Sequence, residues 1–432
     1  MPVTLPQAMN NFLPLLLFFR GAWSWLTCDP LSHGASGTGL TYDTGALRAS
    51  AQECGDAGGG VLWLREGYTF LSGAFNLSSN TELRVDGTLL GSPNSTDYVL
   101  VDWLPWYGPN PPQKLASYEG APAVPCTTVA DCREWSPFIQ SWYQFNVSIT
   151  GKGVIDGQGA TWWTCASNQS AFPCSGYPRP HGIRFVGGNT YSISGVAIKN
   201  MPMWQVHLAF VTGVHVHDVN ITAPSHEGHN TDGCDPDCAQ DVLIENVYIS
   251  TGDDNIAIKS GRNWYGRTFG RPSRNVTVRN SVFGTGHGMS IGSEMSGGVY
   301  DVLFENITSS GGGCGPRIKS ERGRGGLVAN VTYKNIRMEN CSEAIQVTDN
   351  YDPGIPPTNS TATPTFRNIT MEGIYADCAI GYTFDGLPES QIHDLTLRNV
   401  TLGGSNYKGC DNVDKATAVC DNVLPHCPPC FK

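Results

Sequence analysis

Three aspartates lie in two short polar stretches near the middle of the chain. Asp232 belongs to HNTDGCDPD at residues 229–237, and Asp253 and Asp254 belong to STGDDNIAIKSG at residues 250–261. Glycine and aspartate favour turns, so each stretch taken alone fits an ordinary loop. The same carboxylates could also form a metal site or an acid–base set for catalysis.

Basic and imidazole side chains follow further along the chain. Arg317 and Lys319 are two residues apart in GPRIKSE. In a strand they would share one face, and Ile318 would point into the core. His287 lies between glycines in GTGHGMSIGSE, where the backbone could approach a ligand closely.

The metal alternatives have weak sequence support. HEGH at 226–229 lacks the spacing of the H-E-x-x-H zinc motif. DGCDPDCAQD lacks the glycine and the terminal glutamate that a calcium loop carries at fixed offsets. We therefore expect no metal and no organic cofactor.

A recurring pattern indicates the elements that must position these residues. YSISGVAIKN at 191, VLIENVYIS at 242, VLFENITSS at 302 and LTLRNVTLG at 395 each alternate apolar and polar residues on both sides of Asn or Gly. The copies are irregularly spaced, which suits a solenoid whose loops vary in length. A β-sandwich would show the same alternation and is the alternative. We predict an all-β fold, a single-stranded right-handed parallel β-helix, with a short N-terminal capping helix near Thr44–Ala57.

One coil of such a solenoid would bring the charged residues together. Asp232 and Asp253 are 21 residues apart in sequence, close to one short coil. Adjacent coils are ~4.8 Å apart. Three consecutive coils could therefore place three carboxylates, one imidazole and two cations on one face.

The chain divides into three predicted segments. Residues 1–24 resemble a signal peptide. The apolar run Phe12–Phe19 is too short to span a membrane but has the length of the apolar region of a signal peptide. Residues 25–420 form the solenoid, and the Cys/Pro-rich residues 421–432 form a tail. Residues 104–136 and 262–274 are predicted to be long loops that could wall off one end of a cleft.

Cysteines and glycosylation motifs agree with export. The chain has 15 cysteines, which indicate disulfides in a secreted protein, and 12 N-x-[ST] sites. No later stretch is apolar for ~20 residues, so no membrane span is expected. A formal net charge of −11 argues against a nucleic-acid partner.

The four polar elements together resemble glycoside hydrolase family 28, the polygalacturonases. That family carries N-T-D, G-D-D, G-H-G and R-I-K in this order, and this chain has all four unchanged. They are Asn230-Thr231-Asp232, Gly252-Asp253-Asp254, Gly286-His287-Gly288 and Arg317-Ile318-Lys319. The stretches IAIKSG, SIGSEMSGG and GRGG further resemble the plant-type exo-polygalacturonase branch.

The resemblance implies an inverting hydrolase of α-1,4-galacturonosyl linkages in pectin. Asp253 would protonate the glycosidic oxygen, Asp232 and Asp254 would activate water, and His287 would set the protonation of the acid. Arg317 and Lys319 would bind the carboxylate of the sugar. Asn230, Lys259 and Tyr351 would contact neighbouring sugars. The implied partner is homogalacturonan, and we expect a secreted monomer in the extracellular space or cell wall.

Several alternatives stay open at this point. The enzyme could be endo-acting, although the exo-type resemblance favours exo action. It could hydrolyse rhamnogalacturonan or xylogalacturonan instead. A pectate lyase or a noncatalytic wall-binding solenoid would belong to other functional classes.

Overall fold

The computed structural model describes residues 25–108, 133–313, 315–351, 360–404 and 406–431. The predicted signal peptide lies outside these residues. So do Cys126, Cys132 and most of the predicted loop 104–136.

Short strands dominate the described part of the chain, and 29 of them form one sheet that winds around the core in parallel pairings. Strands β8 and β9 form a separate antiparallel pair. The first strands are β1 (Thr27–Cys28), β2 (Thr38–Tyr42), β3 (Gly60–Leu64), β4 (Thr69–Ser72), β5 (Phe75–Asn76), β6 (Thr81–Val85), β7 (Thr88–Gly91), β8 (Leu100–Asp102), β9 (Arg133–Trp135), β10 (Ile139–Trp142), β11 (Phe145–Thr150) and β12 (Val154–Asp156).

The remaining strands complete the solenoid. They are β13 (Ile183–Val186), β14 (Asn189–Ser194), β15 (Ala197–Lys199), β16 (Val206–Ala209), β17 (Thr212–His217), β18 (Asn220–Thr222), β19 (Cys234–Asp237), β20 (Gln240–Glu245), β21 (Tyr248–Ser250), β22 (Ile256–Ile258), β23 (Ser273–Phe283), β24 (Met289–Ile291), β25 (Val299–Ser310), β26 (Pro316–Lys319), β27 (Leu327–Thr348), β28 (Thr365–Asp385), β29 (His393–Leu402), β30 (Asn406–Asp411) and β31 (Val419–Leu424).

Helices are few in the described residues. The α-helices are α1 (Thr44–Asp56), α2 (Ala160–Trp163) and α3 (Asn263–Phe269), and the 3-10 turns are Pro30–His33, Ser95–Asp97 and Pro429–Phe431. None of these helices is long and apolar enough to cross a membrane. The prediction of a loop at residues 262–274 is partly wrong, because this segment contains α3.

Apolar side chains stack from coil to coil to form the core. Ile183, Val206, Cys234, Ile256 and Met289 are paired in register along one column and are fully buried. Because β-branched and aliphatic residues pack well on a pleated surface, each coil supports the next. The predicted parallel β-helix is confirmed.

Asparagines mark the bends between strands. Asn280, Asn306 and Asn335 all have positive φ, a conformation that asparagine tolerates better than most residues. Their amides form a ladder, in which Asn335 donates to Asn306 and Asn306 donates to Asn280. This ladder explains the Asn at the centre of many repeat copies.

The two ends of the solenoid are covered. The predicted capping helix is present as α1, whose buried residues include Leu47 and Cys54, and a disulfide joins Cys54 to Cys28. At the other end, disulfides join Cys410 to Cys430 and Cys420 to Cys427. The predicted tail boundary at residue 420 falls inside β31, which pairs with β29.

Candidate active site

Two loops carry the three aspartates, and hydrogen bonds tie these loops together. The Thr231 hydroxyl donates to the carbonyl of Gly228 and accepts from the amide of Gly252. The amide of Gly233 donates to the carbonyl of Asp254 at 2.8 Å. The N-T-D and G-D-D elements are therefore neighbours on adjacent coils, as the 21-residue spacing predicts.

Asn255 anchors the second loop to the G-H-G element. Its side chain donates to the carbonyls of Ile249 and Thr285 and accepts from the amide of Gly288. Gly286 has φ +142°, and a Cβ there would lie 2.5 Å from the Asn255 side chain. The glycine is required because the loop must approach Asn255 closely.

Asp254 lies at the centre of a buried charge network. Lys319 Nζ donates to Oδ2 at 2.8 Å, and Arg317 Nη1 and Ser290 Oγ donate to Oδ1 at 3.1 and 2.7 Å. Burial alone would raise the pKa of Asp254, but the charges of Lys319 and Arg317 outweigh burial and hold it well below the usual range. Asp254 is consequently ionised.

Asp232 has the opposite electrostatic environment. Burial, followed by the charge of Asp253, raises the pKa of Asp232 to about 8. Lys259 Nζ is 3.6 Å from its Oδ2 and opposes this shift. Asp232 therefore favours the protonated form whereas Asp254 is ionised, so the two buried carboxyl groups differ in protonation state.

His287 is paired with Asp253. Its Nδ1 lies 3.0 Å from Oδ1 of Asp253, and its backbone amide donates to the Asp253 carbonyl. This hydrogen bond raises the pKa of His287. On its other side, Asp253 Oδ2 lies 3.4 Å from Nδ2 of Asn230.

Lys259 and Tyr351 complete the predicted set. Lys259 Nζ lies over the ring of Trp204 at 4.6 Å and 3.4 Å from Glu294. The Tyr351 hydroxyl accepts from Arg317 Nη2 at 3.3 Å. The structure thus brings the predicted residues into one pocket or its immediate wall. The predicted residues that line the pocket are Asn230, Asp232, Asp253, Asp254, Lys259, Lys319 and Tyr351.

Cys234, Asp235, Asp237 and Cys238 follow Asp232 in the same polar stretch, and both cysteines are buried and free. Asp237 has a structural role, because its carboxylate accepts hydrogen bonds from the Trp106 indole and the Gly261 amide. The Asp235 carboxylate has no hydrogen-bond partner among the described residues and lies 3.9 Å from Lys259.

One wall of the pocket was not predicted in detail. Residues 103–107 fold back over the sheet, and the buried Trp106 packs against Phe210 and Phe269, the last residue of α3. Trp103, Leu104 and Tyr107 line the pocket, which has a volume of about 330 Å³. The predicted loops 104–136 and 262–274 thus contribute to this wall through their described residues.

Sequence analysis also missed the polar residues beneath that wall. Glu134, His181, Arg184 and His207 line the pocket on the N-terminal side of the aspartates. Arg184 and His207 occupy the same strand column as Asp235. The sequence signal that could have identified Arg184 and His207 is a polar residue within an otherwise apolar strand, as in GIRFVG.

Asp253, Asp254 and His287 could offer three ligand atoms within 4.8 Å of one another. The described residues around them do not suit a divalent ion well. Asp254 already binds Lys319 and Arg317, so a metal would have to displace both cations or lie against them. The geometry favours acid–base chemistry at these residues.

The fold and the site define a class, a parallel β-helix hydrolase with a carboxylate cluster and adjacent cations. A model described as glycosyl hydrolases family 28 matches residues 125–420, and the chain belongs to this family. A Vitis vinifera protein named "Probable polygalacturonase" is 30% identical over 85% of this chain and 72% of its own length. A Pectobacterium carotovorum endo-polygalacturonase is 28% identical, covering 86% of each chain.

A solved structure extends the similarity to the whole fold. The exopolygalacturonase from Thermotoga maritima has a TM-score of 0.75 and 26% identity, covering 92% of each chain. The chain is a polygalacturonase-type glycoside hydrolase with the right-handed β-helix of its relatives.

Proposed function

We propose that the protein hydrolyses α-1,4-galacturonosyl linkages of homogalacturonan from the non-reducing end, with inversion and release of monomer. The relatives include an endo- and an exo-acting enzyme, so the choice depends on the pocket. The observation that carries the proposal is the wall formed by Trp103, Leu104 and Tyr107 at one side of the carboxylates. A wall at this place leaves room for a chain end and obstructs a continuing polymer.

The wall is anchored firmly enough to act as a stop. The Trp106 indole donates to Asp237 at 2.8 Å, and the ring is fully buried against Phe210 and Phe269. Arg262 extends toward the wall from the start of α3, with its guanidinium 5.5 Å from the ring centre of Tyr107. Substrate binding would have to break these contacts before an internal segment could pass.

In the proposed reaction, Asp253 donates a proton to the glycosidic oxygen as the bond to the leaving sugar breaks. Asp232 and Asp254 hold the attacking water, and its proton passes to Asp232 as the new C–O bond forms. Burial and the negative charge of Asp253 raise the pKa of Asp232, which favours a proton on Asp232 in the free site. We propose that this proton passes to Asp253 when substrate binds, which leaves Asp232 able to accept the proton of the water.

Arg317 and Lys319 are proposed to select a uronate over a neutral sugar. Both are more than nine-tenths buried, so a carboxylate that reaches them gains a strong charge-assisted interaction. Tyr351 lies over both cations, with its ring centre 5.4 Å from Arg317 and 5.3 Å from Lys319. The leaving sugar would bind at this C-terminal side.

The 12 N-x-[ST] sites, the apolar N-terminal segment and the disulfides support secretion to the extracellular space or cell wall. Homogalacturonan occurs there, so the proposed location agrees with the proposed substrate. We further propose that the protein acts as a monomer.

The test is product analysis on polygalacturonate. We expect galacturonate from the first minutes, with little loss of viscosity and inversion at the anomeric carbon. Rapid viscosity loss with mixed oligomers would contradict exo action.

A lyase remains the alternative reaction class for this type of solenoid. It would give 4,5-unsaturated products that absorb in the ultraviolet, and a chelator would abolish their formation. We expect no ultraviolet-absorbing product and the same rate with and without EDTA.

A further inference from the structure

The closed end of the pocket contains polar atoms that have no hydrogen-bond partner in the part of the chain that the structure describes. Trp103 Nε1, Tyr107 Oη and His181 Nδ1 are buried and have no hydrogen-bond partner among the described residues. An unsatisfied buried donor or acceptor costs about 1–3 kcal/mol, so native structures keep few of them. Three such atoms on residues that line one end of one pocket indicate a ligand that supplies their hydrogen bonds.

Glu134 adds an acceptor at the same place. Arg184 Nη1 donates to its Oε1 at 2.5 Å, and Arg184 Nε bonds to His207. The other oxygen, Oε2, lies 3.8 Å from His181 Nε2, which is beyond hydrogen-bonding distance. Glu134 and Arg184 are both almost fully buried, so this is a built polar site and not a solvated surface.

The charge at this end does not suit a carboxylate. Arg184 is already paired with Glu134, and burial lowers the pKa of His181 well below its usual value, so that imidazole is neutral. A sugar whose carboxylate pointed to this end would meet the Glu134 carboxylate. Neutral hydroxyl groups, which donate and accept, match the unsatisfied atoms better.

In an α-1,4-linked chain, a free C4 hydroxyl occurs only at the non-reducing end, because every other C4 oxygen is part of a linkage. We propose that Trp103, Tyr107, His181 and Glu134 form a subsite that recognises the hydroxyls of a saturated, unsubstituted terminal galacturonosyl residue. This inference rests on the proposed exo action. It implies that chains ending in a 4,5-unsaturated residue, which lack the C4 hydroxyl, are poor substrates.

The aromatic rings agree with a sugar at this position. Trp204 packs edge-on against His181 and His207, with ring centres 4.8 Å apart in both pairs. The terminal sugar would lie between this aromatic group and the wall at Trp103 and Tyr107. The subsite thus orients the sugar ring while its polar atoms bind the hydroxyls.

The experiment compares two trigalacturonates, one saturated and one with a 4,5-unsaturated non-reducing end, both reduced to the alditol at the other end. The readouts are the released monosaccharide and kcat/KM for each substrate. We expect the wild-type enzyme to prefer the saturated trimer by at least about tenfold, because the site was built to bond a hydroxyl that the other trimer lacks.

Tyr107→Phe is the decisive variant. It removes only a hydroxyl that has no partner within the described ranges of the chain, so the thermal midpoint should stay the same or rise. The preference for the saturated trimer should fall by about fivefold or more. Glu134→Gln should also lower this preference, with its stability measured in parallel because it alters the pair with Arg184.

Tyr98→Phe is the matched control. Tyr98 is equally buried, but its hydroxyl donates to the carbonyl of Ser92 and its ring packs against Trp162, away from the pocket. We expect this variant to lose stability and to keep the wild-type substrate preference.

Two results would overturn the inference. One is a wild-type enzyme that cleaves both trimers within twofold of each other, and the other is a Tyr107→Phe variant with the wild-type preference. Exo action would survive either result if the saturated trimer still released galacturonate from its non-reducing end. Early release of unreduced digalacturonate together with the monomeric alditol would instead contradict the proposed exo action itself.

Discussion

The C-terminal and N-terminal sides of the pocket differ in how their polar groups are paired. On the C-terminal side, Asp254, Arg317 and Lys319 form a connected charge network whose members satisfy one another. On the N-terminal side, Tyr107 and His181 each have a buried polar atom that no described residue hydrogen-bonds. The comparison teaches that a charged subsite can be complete before substrate arrives, whereas a hydroxyl subsite is completed by the substrate.

The largest expected effect comes from a change at Asp253, the proposed acid. Asp253→Asn cannot donate the proton, and general acid catalysis contributes about 10²–10⁴-fold. We expect kcat on polygalacturonate to fall by about 10³-fold with little change in KM, measured by reducing-sugar release. Asp301→Asn, which changes a more exposed aspartate paired with Arg274, is the control and should retain activity. A variant of Asp253 with more than a tenth of wild-type activity would exclude it as the acid.

A change on the charged side should have the next largest effect. Lys319→Gln removes a cation from Asp254, so the pKa of Asp254 should rise and the acidic limb of the kcat/KM profile should move to higher pH. We expect kcat/KM to fall by about 100-fold near pH 5, and by less near pH 7. An unchanged acidic limb would show that Lys319 does not control Asp254.

Asp232 links catalysis to stability. Its pKa in the folded protein lies above the unfolded value of ~3.9, so the folded state binds more protons between about pH 4 and 8. Stability contributed by this group is therefore lost as pH rises through that window. Asp232→Asn should raise the free energy of unfolding by about 2 kcal/mol at pH 7. This increase should become smaller as the pH falls toward 4. Denaturant titrations at both pH values would test this, and a variant that is destabilised at pH 7 would contradict it.

The smallest expected effect concerns the anchor of the wall. Trp106→Phe keeps an aromatic ring but loses the hydrogen bond to Asp237, worth about 1 kcal/mol. We expect KM to rise about fivefold and dimers to appear among the products, as seen by anion-exchange chromatography. Trp63→Phe, which changes an indole bonded to Asp86 away from the pocket, should leave the product pattern unchanged. Monomer as the sole product of Trp106→Phe would mean that the wall does not need this bond.

Sequence patterns predicted the charged side better than the hydroxyl side. Arg317, Ile318 and Lys319 alternate between cleft and core as a strand requires, and Asp232 lies about one coil before Asp253 and Asp254. These signals are local or repeat with the coil. The wall depends on the contact of Trp106 with Asp237, which are 131 residues apart, so no periodic signal reports it.

Glu134 and His181 show a second limit. Each lies among ordinary strand and turn residues, and neither belongs to a short motif. The role proposed for them depends on His181 Nδ1, which has no hydrogen-bond partner among the described residues, and on the buried pair of Glu134 with Arg184, and only the packed structure reveals these contacts. Helix α3 was also not predicted, because its segment is rich in Gly and Arg and was interpreted as a loop.

The covered ends of the solenoid have a consequence for how the molecule behaves at high concentration. A stack of parallel strands is a template for further strands at both ends, and uncovered edges promote end-to-end association. Helix α1 packs against β1, β3, β4 and β5, and at the other end Phe431 contacts Phe384 beside the disulfide of Cys430. The caps thus cover the edges at which further strands could add, and they fix the length of the solenoid.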